Sequence, residues 1–249
     1  MHTTRATTLE RNPLRARQLH AAVYLVTLPL LITGWWLLAG REGQPSVLAL
    51  VLRQPDSSIH QWLGWSLLAL ASIALLLGGT MTFLRETLRY DRGDARWLLG
   101  WPKGALLGHF ARHEGHFDPG QRIANLVIIL AGVGVVVSGV GLVIVPGGAL
   151  FVWLHRVHQL ATFVLTPVLV GHVLIALGVL PGYDGVWRAM HLGGKVPIET
   201  AHRIWPAWTE RALSAARMED ARGQPDQPPT EKSAAASARV GNASTRSSR

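Results

Sequence analysis

Residues 153–182 read WLHRVHQLATFVLTPVLVGHVLIALGVLPG, an apolar stretch that carries His158 and, fourteen positions later, His172. Fourteen residues of α-helix climb about 21 Å and bring the second side chain to within about 40° of the first. The two imidazoles therefore share a face at two depths of a bilayer whose hydrocarbon core is roughly 30 Å thick. A polar ring in lipid is costly unless something takes its lone pairs, so an intramembrane histidine marks function. Two such rings at two depths predict two redox centres stacked across a membrane.

The whole 249-residue chain supports that setting. Its hydrophobic residues are bunched into long runs rather than spread at helix or strand period. Lys and Arg number 24 against 15 Asp and Glu, a net charge of +9, and the basic residues lie almost wholly outside those runs. Such a distribution matches the positive-inside asymmetry of a membrane protein; no recognition motif points to a nucleic-acid partner. Cysteine is absent. Disulfides, iron–sulfur clusters, thiolate zinc sites and covalently attached haem are thus excluded as the work of this chain alone.

Residues 1–19 form a basic N-terminal segment with Arg5, Arg11, Arg15 and Arg17. The first uncharged run, Ala21 to Ala39, is read as an uncleaved span. As a signal peptide it would be too long, with Trp35 and Trp36 where small residues should precede a cleavage site. A polar loop (40–59) leads to a second span at 61–84. A charged connection follows, Arg85 to Arg122, then a third span at 123–145 in which Gly132, Gly134, Gly139 and Gly141 allow close approach of a backbone or a flat cofactor. A short, nearly neutral link leads to the fourth span at 157–180. No internal repeat is evident. Residues 183–212, with Trp187, Trp205 and Trp208, read as an interfacial or docked segment. Residues 213–249, rich in Ser, Ala, Pro, Gln and Arg, read as a disordered tail.

The N-terminus, the middle connection and the C-terminal segment are basic, and the loops at 40–59 and 146–155 nearly neutral, which places both termini in the cytoplasm. Trp35, Trp36, Trp62, Trp65 and Trp153 then fall near the outer face, as an aromatic belt would. With that topology His60 and His158 share the outer level, and His20 and His172 the inner one. Each level holds the two imidazoles that bis-histidine haem ligation in a four-helix bundle requires. The expected fold is an all-α membrane protein, a four-helix bundle over residues 20–182 that holds two stacked b-type haems.

Other polar residues carry weaker signals. His155 lies about 100° off the face of His172 and reads as an outer-surface residue. His109, His113 and His116 stand in the middle connection; the spacing of His109 and His113 would suit a metal on a helix, but a solvated polar loop is the favoured reading. Arg17 and Arg156, near His20 and His158, are candidates for haem propionate contacts, as guanidinium matches carboxylate.

In order and spacing these features resemble the di-haem cytochrome b (gamma) subunit of membrane-bound formate dehydrogenases, and the related cytochrome b of nickel–iron hydrogenases, over residues 15–208. The resemblance rests on Arg17, His20, Thr33 and Gly34 in span one, His60 and Gly64 in span two, and Phe117 to Arg122 before span three. It continues through Ser138-Gly139, the pair His158 and His172, and the closing segment Gly185 to Met190. It implies haem iron held by His60 with His158 and by His20 with His172. It also implies a quinone, menaquinone or ubiquinone, near His172, Asp118, Gly120 and Gln121. Asp118 stands where the family usually has Asn, Leu174 replaces an aromatic residue and Gln61 an arginine. The implied partners are an iron–sulfur electron-transfer subunit and a catalytic oxidoreductase subunit. The implied location is the bacterial cytoplasmic (inner) membrane, crossed several times. The chain would then be an electron-transfer subunit without a substrate-oxidising site of its own. A haem-free membrane anchor or small transporter is the rival reading.

Overall fold

The computed structural model describes residues 7–40, 43–77 and 79–223. A short strand β1 (Thr8–Glu10) leads into α1 (Leu14–Leu38), followed by α2 (Val47–Leu52), α3 (Asp56–Leu76), α4 (Thr80–Thr87) and α5 (Asp94–Leu107). The long helices α6 (Pro119–Ile144) and α7 (Gly148–Ala176) come next. Then follow α8 (Arg188–His191), β2 (Lys195–Pro197), α9 (Ile198–Ile204) and α10 (Pro206–Gly223). Helices α1, α3, α6 and α7 are each long and apolar enough to cross a membrane. The chain is a mostly helical, multi-pass membrane protein, with Leu25, Ile32, Leu75, Leu130, Val137 and Leu160 exposed on the spans where lipid would cover them.

Local chemistry sets the helix ends, and several differ from expectation. The second span was expected at 61–84 but runs from Asp56 to Leu76, and Gly79, at φ 82°, starts the separate α4. The polar loop at 40–59 contains the apolar helix α2. Ser46 caps it by accepting from the Ala49 N–H at 3.1 Å, while the Ser46 N–H and hydroxyl both donate to Asp56. The fourth span begins at Gly148 rather than 157, because only Val145 to Gly147 separate α6 from α7. His158 therefore lies in the third turn of α7, not at its start. The tail expected from 213 is helical as far as Gly223, and the remainder lies outside the described residues. Two compact units divide between Thr209 and Glu210.

Close backbone approach is concentrated within two hairpins, α1 with α3 and α6 with α7, and is sparse between them. The α6 glycines explain the tightness of the second hairpin. A Cβ on Gly134 would lie 3.3 Å from that of Ala161, and one on Gly141 would lie 2.8 Å from the Leu154 side chain. Between hairpins, Trp35 of α1 reaches α7, packing edge-on against Phe163 at 5.2 Å and donating its Nε1–H to the Thr166 hydroxyl at 3.1 Å. Trp62 and Trp153 are both exposed.

The other end is covered by a cap. β1 pairs antiparallel with β2, Leu9 opposite Val196, a two-stranded sheet that the all-helical expectation did not include. The pairing carries Arg11 into a buried position where its guanidinium lies 3.8 Å from the Trp205 ring and 4.4 Å from that of Trp208. The segment beyond Gly182 is thus docked by buried aromatics, with Val196, Ile204 and Ala201 fully buried beside Tyr183. Arg122, at the start of α6, donates to Asp94 at 2.8 Å and to the Arg89 carbonyl at 2.7 Å, tying α6 to the connection that contains α5.

The 109–116 segment is not helical, so the spacing of His109 and His113 makes no metal face, and no metal-binding cluster occurs among the described residues. Nor is it uniformly solvated: His109 is exposed, but His113 is buried, its ring 6.1 Å from that of Trp97. Burial first, then Arg122 and Arg11, holds the His113 imidazole down at about 4. Asp118 is raised to about 6 by burial, opposed by its bond from the Gln121 N–H and by Arg11 and Arg122.

These two groups make opposite contributions to the pH dependence of stability. Between pH 6.5 and 4 the unfolded chain binds a proton that folded His113 refuses, so stability falls on acidification. Between pH 6 and 3.8 folded Asp118 binds a proton that the unfolded chain does not, so stability rises on acidification. Thermal unfolding in detergent at pH 4.5 and 7 should show it. Relative to the wild type, His113→Gln shifts the pH difference towards greater acid stability. Asp118→Asn, which keeps a capping side chain, shifts it the other way.

Candidate functional site: two stacked imidazole pairs

Four histidines meet as two pairs. His60, in the second turn of α3, faces His158 of α7 with ring centroids 6.1 Å apart and planes at 80°. His20 of α1 faces His172 of α7 at 6.2 Å and 52°. Each metal–imidazole bond is about 2 Å and a ring nitrogen sits roughly 1.1 Å from its centroid, so two rings sharing one metal stand about 6 Å apart. Both pairs meet that spacing. The levels are parallel because thirteen residues of α1 from His20 to Thr33 and fourteen of α7 from His158 to His172 rise about 20 and 21 Å.

The His60–His158 pair sits in two equivalent cradles. In the first, the Thr33 hydroxyl gives its proton to a carbonyl of its own helix, Pro29 at 2.9 Å or Leu30 at 3.2 Å. Its oxygen must then accept from His60 Nδ1, 2.9 Å away. In the second, Ser138 donates to the carbonyl of Gly134 or Val135. His158 Nδ1 lies 3.1 Å from both the Ser138 hydroxyl and the Val135 carbonyl, so Nδ1 carries the hydrogen. An imidazole protonated at Nδ1 leaves the Nε2 lone pair to bind metal. A glycine follows each hydroxyl and makes room for the ring: a Cβ on Gly34 would lie 3.1 Å from His60 Cε1, and one on Gly139 3.3 Å from His158 Cε1. The two hairpins thus repeat one device, although no repeat is visible along the chain.

The His20–His172 pair is built differently. His20 Nδ1 is buried with no hydrogen-bond partner. Around it stand Tyr24 at 5.7 Å and His191 at 6.3 Å, ring centroid to centroid, and those two rings are 6.0 Å apart. Sequence reading missed both. Tyr24 was legible, one turn after His20 on α1. His191 was not, as only the return of α8 under the bundle brings it near.

Arg17 lies one turn before His20, its Nε buried without a partner, and so retains a free donor beside this pair. Arg156 is exposed and, two residues before His158, points from the opposite side of α7; the structure does not bring it to the pair. His155 is exposed too and stacks on Phe151 at 6.5 Å. Asp118 spends its carboxylate as the N-cap of α6, accepting from the Gln121 N–H at 2.8 Å. Gly120 packs beneath Trp97, 3.0 Å from its would-be Cβ. Gln121 Oε1 and Asn125 Nδ2, one turn apart on α6, are both buried and unpartnered; Asn125 was not anticipated.

An apolar four-span bundle with imidazoles paired at metal-bonding distance defines a membrane cytochrome of the b type, a carrier of single electrons. The chain matches the prokaryotic cytochrome b561 family over residues 11–193 and belongs to that family. No curated protein matches it. Family membership implies b-type haem, and the unused Nε2 lone pairs, the ring spacing and the glycine cradles fit that group.

If the glycines make room for the ligand rings, a branched side chain there must displace them. Gly34→Val or Gly139→Val should strongly reduce the haem bound per folded protein, and a pyridine haemochrome assay against protein mass measures this. Gly100→Val, on α5 and outside the spans, is the control, because nothing lies within 4 Å of a Cβ at Gly100.

Proposed function

We propose that this chain is the di-haem cytochrome b subunit of a membrane oxidoreductase complex, conducting electrons from a periplasmic iron–sulfur partner subunit to the quinone pool. The observation that carries this reading is the presence of two imidazole pairs, each near 6 Å, at two levels of α7: His158 with His60 of α3, and His172 with His20 of α1. Haem bound there supplies reversible one-electron chemistry. His60 and His158 would hold the outer group and His20 and His172 the inner one, with both chain termini on the cytoplasmic side of the inner membrane.

The protein's own residues orient the rings, exclude water and hold the propionates, the last a role suited to Arg17. Menaquinone or ubiquinone would take electrons beside the inner pair. The buried, unpartnered Gln121 Oε1 and Asn125 Nδ2 are better suited to meet quinone oxygens or their bound protons than Asp118, whose carboxylate caps α6. The donor enzyme assigned by this reading is a formate dehydrogenase. A nickel–iron hydrogenase would use the same subunit architecture and is the second reading.

Purified protein should give two b-type haems per chain in a reduced-minus-oxidised spectrum with haemochrome quantification. His60→Ala and His172→Ala should each remove a different one. One haem or none in folded protein overturns the di-haem reading. Membranes of the native organism then separate the donors: formate reduces these haems if the first reading holds, and hydrogen reduces them if the second does.

A further inference from the structure

Both histidines of the His60–His158 pair are anchored at Nδ1, whereas His20 Nδ1 is buried without an acceptor. We infer that Thr33 and Ser138 are positioning residues that set the haem at His60–His158 to a lower potential than the haem at His20–His172. They thereby fix the direction of electron flow through the bundle. The inference rests on the di-haem reading above.

The physical link is ligand basicity. An imidazole that donates its Nδ1–H to an oxygen becomes a stronger electron donor at Nε2. A more electron-rich ligand favours the oxidised, more positive iron and lowers the reduction potential. Second-shell hydrogen bonding and burial are the levers left to the protein once the axial residues are the same. All four residues that would hold the two groups are histidine, so a difference must come from what surrounds them.

Thr33 and Ser138 are each 1 % exposed, so both hydroxyls are shut off from bulk solvent. Each spends its own proton on a carbonyl three or four residues back, so each presents only lone pairs to the histidine. A carbonyl of the same turn stands beside each hydroxyl: Val135 at 3.1 Å from His158 Nδ1, and Leu30 at 3.2 Å from the Thr33 hydroxyl. Both rings of this pair thus donate to acceptors that cannot donate in return. At the other pair the neighbours of His20 are the rings of Tyr24 and His191, and no acceptor reaches its Nδ1. Haem held by His60 and His158 would give up one electron to haem held by His20 and His172, with no bond or proton changing hands. The unequal anchoring makes that direction downhill.

Potentiometric titration of the purified wild type, followed optically, tests the ordering first. The haem absent from His60→Ala should be the one with the lower midpoint potential; the opposite order overturns the inference. Thr33→Val and Ser138→Ala should then each raise that lower potential and leave the other unmoved. The expected shift is up to about tenfold in the one-electron equilibrium, or about 59 mV. It should be smaller for Ser138→Ala, which keeps the Val135 acceptor. Thr33→Ser retains the hydroxyl and should retain the wild-type potential, which a packing role for the threonine methyl would not. Two haems whose potentials both ignore these substitutions overturn the inference while leaving the di-haem reading intact. A chain without two haems defeats the di-haem reading itself.

Discussion

A neutral imidazole in lipid needs partners for its two nitrogens, and the His60–His158 level of this bundle is arranged around that requirement. Where Nδ1 is given a fixed acceptor, Nε2 becomes a metal ligand of defined tautomer and direction. The acceptor must itself be satisfied without competing for the ring. A serine or threonine hydroxyl that back-bonds to its own helix meets the condition, as it consumes its proton locally and offers lone pairs outward. The neighbouring glycine removes the Cβ that would otherwise fill the ring's place. One turn of helix therefore carries anchor and clearance together, and the same turn occurs in α1 and in α6.

The same requirement explains the uneven packing. Within each hairpin, small residues and hydroxyls bring helices together; between hairpins, contact is carried by aromatic bridges such as Trp35 with Phe163 and by the paired histidines. Dispersion and lipid ordering hold the hairpins, since the apolar faces gain nothing from burial away from lipid. A flat cofactor between the hairpins would replace side-chain packing there.

At one end the bundle is closed by a cap whose chemistry is that of a soluble protein. Arg11, buried, lies against the faces of Trp205 and Trp208, whose planes are at 80°, and burial lowers it to about 9 even with Asp118 supporting its charge. Arg122 and Asp94 pair in the same region. Breaking such a pair costs more than making it gains, because the surviving partner is left charged and buried. The N-terminal strand is the means by which Arg11 reaches this position. A segment that looks like a simple basic leader thus becomes a structural part of the cap.

The four spans and the pairing of His20 with His172 and His60 with His158 were legible along the chain. Length and hydrophobicity alone decide what can cross a bilayer, and the rise of a straight helix converts residue spacing into depth. Helix ends were less legible, because they depend on turn residues such as Gly79 and Ser46 rather than on hydrophobicity. Folding was needed to show that Thr33 and Ser138 are equivalent. It also decided that His191 approaches His20, that His113 is buried while His109 is not, and that Asp118 caps a helix. Each of these is a contact between residues far apart in the chain or a contest for one hydrogen bond, and linear spacing records neither. The amino-acid sequence by itself determined a membrane bundle with two levels of paired imidazoles. The tertiary structure decided that Nδ1 of His60 and of His158 is held and that of His20 is not, since that depends on which neighbouring helix presents an acceptor.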